Sequence, residues 1–199
     1  NGHFNLYYKT GKLQAEGFYL DGLMEGKAIT YYPNGKSMTE THYENGVLHG
    51  SAKSFFENGI TKKESEYYYG ILQGKVREYN RDGRLLFERE YDNGLENGTA
   101  LQFDTNGRVL RKATFADGRQ IGVIQEFDDE GRLVKAYEAK NGVPNGVVRE
   151  YHLTGELKSE SRYEDGELAD GIIREFYKSG ELLREVSLVD GKRSGEFKE

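Results

Sequence analysis

The chain has 199 residues, 28 of them Lys or Arg and 34 Asp or Glu, for a net charge of −6. That balance disfavours non-specific nucleic acid and anionic membranes as partners, since both reward clustered Lys and Arg. There is no cysteine, which excludes a disulfide framework and a thiolate metal site, and no apolar run approaches the ~20 residues of a membrane-spanning helix.

Glycine sets the organisation. Repeats start at Gly2, Gly26, Gly50, Gly74, Gly98, Gly122, Gly146 and Gly171, each 24 residues apart except the last, which follows after 25. Asp170 reads as the inserted residue. A partial ninth repeat begins at Gly195. With each first glycine counted as position 0, a second falls at position 9 (Gly11, Gly35, Gly59 and onward) and a third at position 20 (Gly22, Gly46, Gly70 and onward). Only Gly17 lies outside this scheme. Such a period marks an extended repeat array. Each repeat then contacts only its neighbours, so residues 1–199 read as one array with no linker or internal domain boundary.

In chain order, each repeat predicts two short strands and two turns. Position 5 is always aromatic (Tyr7, Tyr31, Phe55, Tyr79, Phe103, Phe127, Tyr151, Phe176), a strand signal. Polar residues then lead into the second glycine, as in Pro33-Asn34-Gly35 and Arg81-Asp82-Gly83. That fits a type I turn closed by a left-handed glycine. A hairpin pivoting there sets position 5 across from position 11, usually apolar (Leu13, Leu85, Val109, Leu133, Leu157, Leu182). The second strand ends on another aromatic (Tyr19, Tyr43, Tyr67, Tyr91, Phe115, Tyr163), with Ala139 and Leu188 as exceptions. Asp or Asn then precedes the third glycine, with Tyr69 replacing it once. Asx-Gly is turn chemistry, because both residues tolerate positive φ. Position 2 is apolar (Val76, Ile124, Val148, Ile173), although its parity differs from that of position 5. That requires either a bulge between them or burial on both faces. The expected fold is all-β: an elongated, single-layer antiparallel β-meander of about eight 24-residue β-hairpin repeats, about 16 strands, with the aromatic ladder as its core.

The repeat, G-x4-[YF]-x3-G-x-L-x2-E-x2-Y-x-[DN]-G-x3-G, resembles the variant MORN repeat along essentially the whole chain. Tyr79, Gly83, Leu85, Glu88, Tyr91, Asn93, Gly94 and Gly98 carry the likeness in one repeat. Bacterial chains made of this repeat are often labelled YwqK-type antitoxins. The resemblance implies extended β-hairpin sheets that act as interaction or scaffold modules, and the antitoxin label implies neutralising a toxin protein. Lys112, Ala136 and Ala139 depart from the pattern. Segments such as Tyr79-Asn80-Arg81-Asp82-Gly83-Arg84-Leu85 are also similar to the YD repeats of toxin-encapsulating shells, but the closing Asx-Gly-x3-Gly favours MORN.

No constellation of catalytic residue types stands outside the repeat. His3, His42, His49 and His152 fall in turns or at strand ends with no metal spacing and no Ser-His-Asp order, and the glycines follow the period rather than a phosphate-loop pattern. The glutamate column (Glu16, Glu40, Glu64, Glu88, Glu160, Glu185) places carboxylates ~10 Å apart, two strands along. That reads as a solvated face with Arg and Lys partners, or as an acidic stripe for a basic partner. Arg108, Arg111, Lys112, Arg119, Arg132, Lys135 and Lys140 gather in repeats five and six, interleaved with acids.

The chain is accordingly expected to be no enzyme and to need no cofactor or metal. Its expected role is a repeat scaffold binding a protein partner. A membrane-surface module and a bacterial surface or secreted protein contacting host or envelope are the other readings. Self-association through open sheet edges is also expected. The start at Asn1, on a repeat boundary and without methionine, reads as trimmed and leaves surface, secreted and cytoplasmic locations open. Position 6 is aromatic in repeats one to three and eight (Tyr8, Tyr32, Phe56, Tyr177), and repeat three adds Tyr67-Tyr68-Tyr69. Tyr8, Tyr32, Phe56 and Tyr68 are the expected protein-contact residues, since exposed aromatic side chains are enriched at interfaces.

Overall fold

The computed structural model describes residues 1–140 and 142–198. Among them there is no helix, and nineteen strands pair antiparallel within each unit, mostly by hairpins between strands consecutive in the chain; two two-residue strands pair only with the strand before them, whose main part pairs with the strand after. The chain divides into two compact units, Asn1–Gly107 with Ala116–Gly118, and Arg108–Phe115 with the chain from Arg119 on. The N-terminal unit carries β1 (Gly2–Tyr7), β2 (Leu13–Leu20), β3 (Leu23–Met24), β4 (Gly26–Tyr31), β5 (Ser37–Glu44), β6 (Val47–Phe55), β7 (Thr61–Tyr68), β8 (Ile71–Tyr79), β9 (Leu85–Asp92) and β10 (Leu95–Phe103). The C-terminal unit is built on β11 (Val109–Ala116), β12 (Arg119–Phe127), β13 (Leu133–Lys140), β14 (Val143–Tyr151), β15 (Leu157–Glu164), β16 (Glu167–Leu168), β17 (Gly171–Phe176), β18 (Leu182–Val189) and β19 (Lys192–Lys198). The strands exceed the expected number because the strand entering position 0 is broken before Gly26 and before Gly171, and the partial ninth repeat supplies β19.

Both turns follow from their residues. At the first, the amide of Gly35 donates to the Tyr32 carbonyl (2.8 Å), the amide of Tyr32 donates to the Lys36 carbonyl (2.8 Å), and Gly35 sits at φ 87°. That is a type I turn closed by a left-handed glycine. At the second, Asn45 (φ 51°) and Gly46 (φ 80°) are both left-handed, as a type I′ turn requires. Asp21, Asn93, Asp117, Asp165 and Asp190 repeat it, and Tyr69 adopts the same backbone at φ 45°. Asn141, which reads as another member, lies outside the described residues, as does Glu199 at the end of the ninth repeat.

The register matches expectation: Tyr7 pairs with Leu13, Tyr79 with Leu85, Phe127 with Leu133 and Phe176 with Leu182. The parity puzzle resolves through bulges elsewhere. Glu78 pairs with Phe87 and Tyr79 with Leu85, so Leu86 at position 12 is the extra residue. Thr41 pairs with Ala52 and Tyr43 with Leu48, so a second irregularity falls at the first glycine. No bulge separates positions 2 and 5. They face opposite sides, and both faces cover something.

The core therefore differs from the expected aromatic ladder. Position 2 pairs with position 15 across each hairpin, as in Ile124 with Tyr137 and Val148 with Ser161, and position 15 pairs again with position 2 of the next repeat, as in Tyr137 with Val148. This spine holds most of the buried side chains: Ala28 and Val76 in the N-terminal unit, and Ala113, Ile124, Tyr137, Val148 and Val186 in the C-terminal unit. Phe115, Ala139 and Tyr163 of the second aromatic column pack against it. The first aromatic column lies on the other face and is half-buried, apart from the exposed Tyr7. The spare glycine belongs to the spine as well. Gly17 pairs with Phe4, and a Cβ on Gly17 would stand 2.6 Å from the Phe4 ring, so the large partner occupies the space the small one vacates.

A cavity in the spine should cost more than a change in a turn. Ile124→Ala is expected to lower unfolding free energy by ~2 kcal/mol or more. Leu153→Ala, in an exposed turn, is expected to stay within ~0.5 kcal/mol. Urea denaturation of the two variants checks this, and equal costs would show that the spine is not the core.

Candidate interaction surfaces

One face carries a polar ladder. Position 14 lies across from position 3, so the glutamate column meets cations: Arg77 Nε to Glu88 at 2.7 Å, Arg149 to Glu160 at 2.9 Å and Arg174 to Glu185 at 2.8 Å. Lys53 binds Glu64 at 2.7 Å and Lys75 binds Glu88 at 2.7 Å. The position-5 tyrosine of the next repeat then donates its hydroxyl to the same column, Tyr31 to Glu16 and Tyr79 to Glu64 (2.9 Å). Hydrogen bonds from Lys53 and Lys75 hold Glu64 and Glu88 below the usual carboxylate range. Burial, then the bond to Glu16, pushes Tyr31 up to about 12, and burial first also raises Tyr79. The glutamates are committed to the sheet itself rather than offered as an acidic stripe.

Where Ala136 replaces the glutamate, the polar contacts change faces. Tyr137 Oη donates to Glu126 (2.7 Å) and accepts from Arg111 (3.2 Å), and the Lys135 ammonium lies 5.6 Å from the Tyr137 ring. Arg132 pairs with Asp128 (2.8 Å) and Lys140 with Asp165 (3.1 Å). Arg111, Arg132, Lys135 and Lys140 are thus drawn into local contacts. In the C-terminal unit an open depression of about 450 Å³ is lined by Glu126, Lys135, Glu150, His152, Lys158 and Lys178, among others. Among the described residues, no group of three or more His, Asp or Glu is placed to hold a metal ion.

The first-turn edge carries position 6. Tyr8 Oη donates to the Tyr31 carbonyl and Tyr32 Oη to the Phe55 carbonyl (2.7 Å), while His152 Nε2 lies 2.9 Å from the Phe176 carbonyl oxygen. Each side chain ties its turn to the following repeat. Asn80 and Asp128 instead accept amide hydrogens of their own turns. Phe56 lies under the Arg81 guanidinium, 5.7 Å from the ring centre. Tyr8, Tyr32 and Phe56 are half-buried. Tyr68 is 60% exposed and lies at the opposite end of β7, ~20 Å from that edge at ~3.3 Å per residue. The structure therefore does not bring the four expected contact residues together.

The second-turn edge is held by a column that sequence reasoning missed. In several repeats the residue just before the first glycine accepts from the turn that follows. Glu25 takes the Asn45 amide (2.9 Å), Gln73 that of Asn93 (3.0 Å), Asn145 that of Asp165 (3.1 Å) and Asp170 that of Asp190 (2.8 Å). Asp170 thus holds a regular position, and the extra residue lies before it. The signal was available: this position is polar in every full repeat except at Ile121.

At His49 the pattern breaks. The His49 ring meets Tyr69 edge-on (4.5 Å between centres) and Tyr68 at a tilt (5.2 Å), and the two tyrosines meet edge-on at 4.9 Å. Glu44 joins them, accepting from Tyr69 Oη (3.3 Å) and lying 3.5 Å from His49 Nδ1. The Glu44 charge raises the Tyr69 pKa. Beside this cluster runs an exposed aliphatic row at position 21: Leu23, Val47, Ile71 and Leu95, between 41% and 50% exposed. Each leans on the third glycine of the next turn, as Val47 does on Gly70.

An open hairpin sheet with a buried spine on one face and a Tyr–Glu–Arg ladder on the other defines a β-repeat protein. The MORN repeat variant family matches residues 1–21, 24–45, 48–67, 72–93 and 144–165, more than half of the chain, and the chain belongs to that family. No curated protein matches it closely enough to name as a relative.

The ladder predicts a pH profile. Tyr31 titrates at about 12 folded against 10.0 unfolded, so its contribution is present below pH 10 and lost as pH rises through 12. Glu64 and Glu88 are lowered from 4.5, so theirs is present above pH 4.5 and lost as pH falls below it. Melting temperature should therefore fall at both ends of the pH range, and Tyr31→Phe should flatten the alkaline limb. An unchanged alkaline limb in that variant would count against the Tyr31–Glu16 bond.

Proposed function

We propose that this protein is a non-enzymatic scaffold that binds a protein partner through the second-turn edge of its N-terminal unit. The supporting observation is the regular row of exposed aliphatic side chains Leu23, Val47, Ile71 and Leu95, continued by Tyr68 and Tyr69. Exposed apolar side chains recurring along one edge of a protein rich in charge are characteristic of interaction sites; here Tyr68 pairs across from Ile71, and the carboxylates Glu44 and Asp92 pair across from Val47 and Leu95. The row is spaced by the repeat, ~10 Å per step along the sheet, and so offers several equivalent anchors to one partner. Neutralisation of a toxin protein, as in the antitoxin-like chains built from this repeat, is the narrower form of this reading.

The double variant Ile71→Ser, Leu95→Ser tests it. Both side chains are about half exposed, so the fold should survive with little change in melting temperature. The wild-type chain, immobilised and exposed to lysate of its source cells, is expected to retain a defined protein that the variant loses. Identical recovery by both would overturn the proposal. Flotation of the wild-type chain with anionic phospholipid vesicles would favour a membrane-surface role instead.

A further inference from the structure

The edge around Tyr68 is asymmetric in charge. Residues 18–25, 42–49, 66–73 and 90–97, which form the second turns of the first four repeats and their flanks, contain no Lys or Arg against seven Asp or Glu. The corresponding stretches of the later repeats carry Arg119, Lys140, Arg162, Lys192 and Arg193. Within the cation-free edge, Tyr68 (60% exposed) and Tyr69 (48% exposed) meet at 76°, and Glu44 stands beside them. Ring faces attract a cation within ~6 Å of the centre, and a nearby carboxylate adds to that attraction. Among the described residues no Lys or Arg lies over the Tyr68 or Tyr69 ring, in contrast to Phe56 and Phe87, whose rings already lie under Arg81 and Arg89, and the basic group nearest Glu44 is the His49 imidazole at 3.5 Å.

We propose that Tyr68, Tyr69 and Glu44 form a recognition site for an arginine side chain on a basic, partly apolar segment of the protein partner, with the neighbouring Val47 and Ile71 receiving the segment's apolar residues. This rests on the protein-binding reading and specifies its chemistry. The guanidinium stacks on the Tyr68 ring and hydrogen-bonds Glu44, while the His49 ring packs against both tyrosines. Arginine is favoured over lysine because its planar group stacks and donates at once.

The probe is a fluorescein-labelled hexapeptide alternating leucine and arginine, followed by polarisation against the full chain, beside the same peptide with neutral citrulline replacing arginine. The arginine peptide is expected to bind and the citrulline peptide to bind at least about tenfold more weakly. Tyr68→Ser and Glu44→Gln should each weaken the arginine peptide by about tenfold. Tyr68→Phe, which keeps the ring, should retain binding, and Glu164→Gln in the C-terminal unit should leave it unchanged. No binding, equal binding of the citrulline peptide, or equal loss on Glu164→Gln would overturn the site. Such a failure leaves the protein-binding reading to the Ile71→Ser, Leu95→Ser comparison, which does not depend on a cationic ligand.

Discussion

Left-handed backbone, imposed at fixed intervals, is the constraint on which the rest of the structure depends. The repeats turn twice, at a glycine-closed type I turn and at a left-handed pair that is Asx-Gly in all but one of the described cases, and both favour residues that tolerate positive φ. Those points fix where the chain reverses, and reversal fixes register. Register then decides which side chains share a face, because a slip of one residue would exchange the spine for the ladder. The first glycine adds a third such point inside a strand, for example Gly50 at φ 88° in β6. There it forms a bulge that lets the spine continue from one hairpin to the next.

A sheet without a second layer must cover both faces with its own side chains. The solution here is unequal. One face buries small and medium apolar groups in a narrow line, among them Ala28, Val76, Ile124 and Val148. The other covers itself with amphipathic groups: tyrosine rings lie along the strands while their hydroxyls reach glutamates, and Arg and Lys stems lie between them. Exposed ion pairs contribute only ~0–1 kcal/mol each, so the ladder's value lies in shielding backbone and fixing side-chain direction more than in charge attraction. The abundance of tyrosine in a chain of low apolar content follows from that role.

Turn chemistry and hairpin register were legible because they depend on residue types with few alternatives, such as Asn45-Gly46 and the pairing of Tyr79 with Leu85. The location of the core was not. The position-12 bulge at Leu86 has no residue signature, since any side chain can occupy it, and without it the parity of positions 2 and 5 could not be assigned to faces. The contact residues were read from aromaticity alone. Aromaticity does not distinguish Tyr32, whose hydroxyl is engaged by the Phe55 carbonyl, from Tyr68, whose ring is largely open to solvent. The caps before the first glycine show in the sequence only as a polar column, because Glu, Gln, Asn and Asp all serve there and no single residue type marks the position.

A repeat protein supplies its own reference for what a position requires. Seven second turns have a described residue before the third glycine, and six of those residues are Asp or Asn; the exception is Tyr69 at φ 45°. A bulky side chain in the left-handed region costs ~1 kcal/mol or more, and nothing in the turn's geometry asks for it. The residue at the capping position for that same turn, His49, packs its ring against the tyrosines, in place of the contact made by Glu25 or Gln73. Two departures from the repeat therefore meet in one place, 20 residues apart in sequence and in ring contact in space. Edge-on ring contacts offset part of the strain, but a repeat that simply kept Asx would have had less to offset. An aromatic pair held open to solvent, at the expense of local backbone comfort and on turns free of Lys and Arg, is the feature on which the proposed arginine site draws.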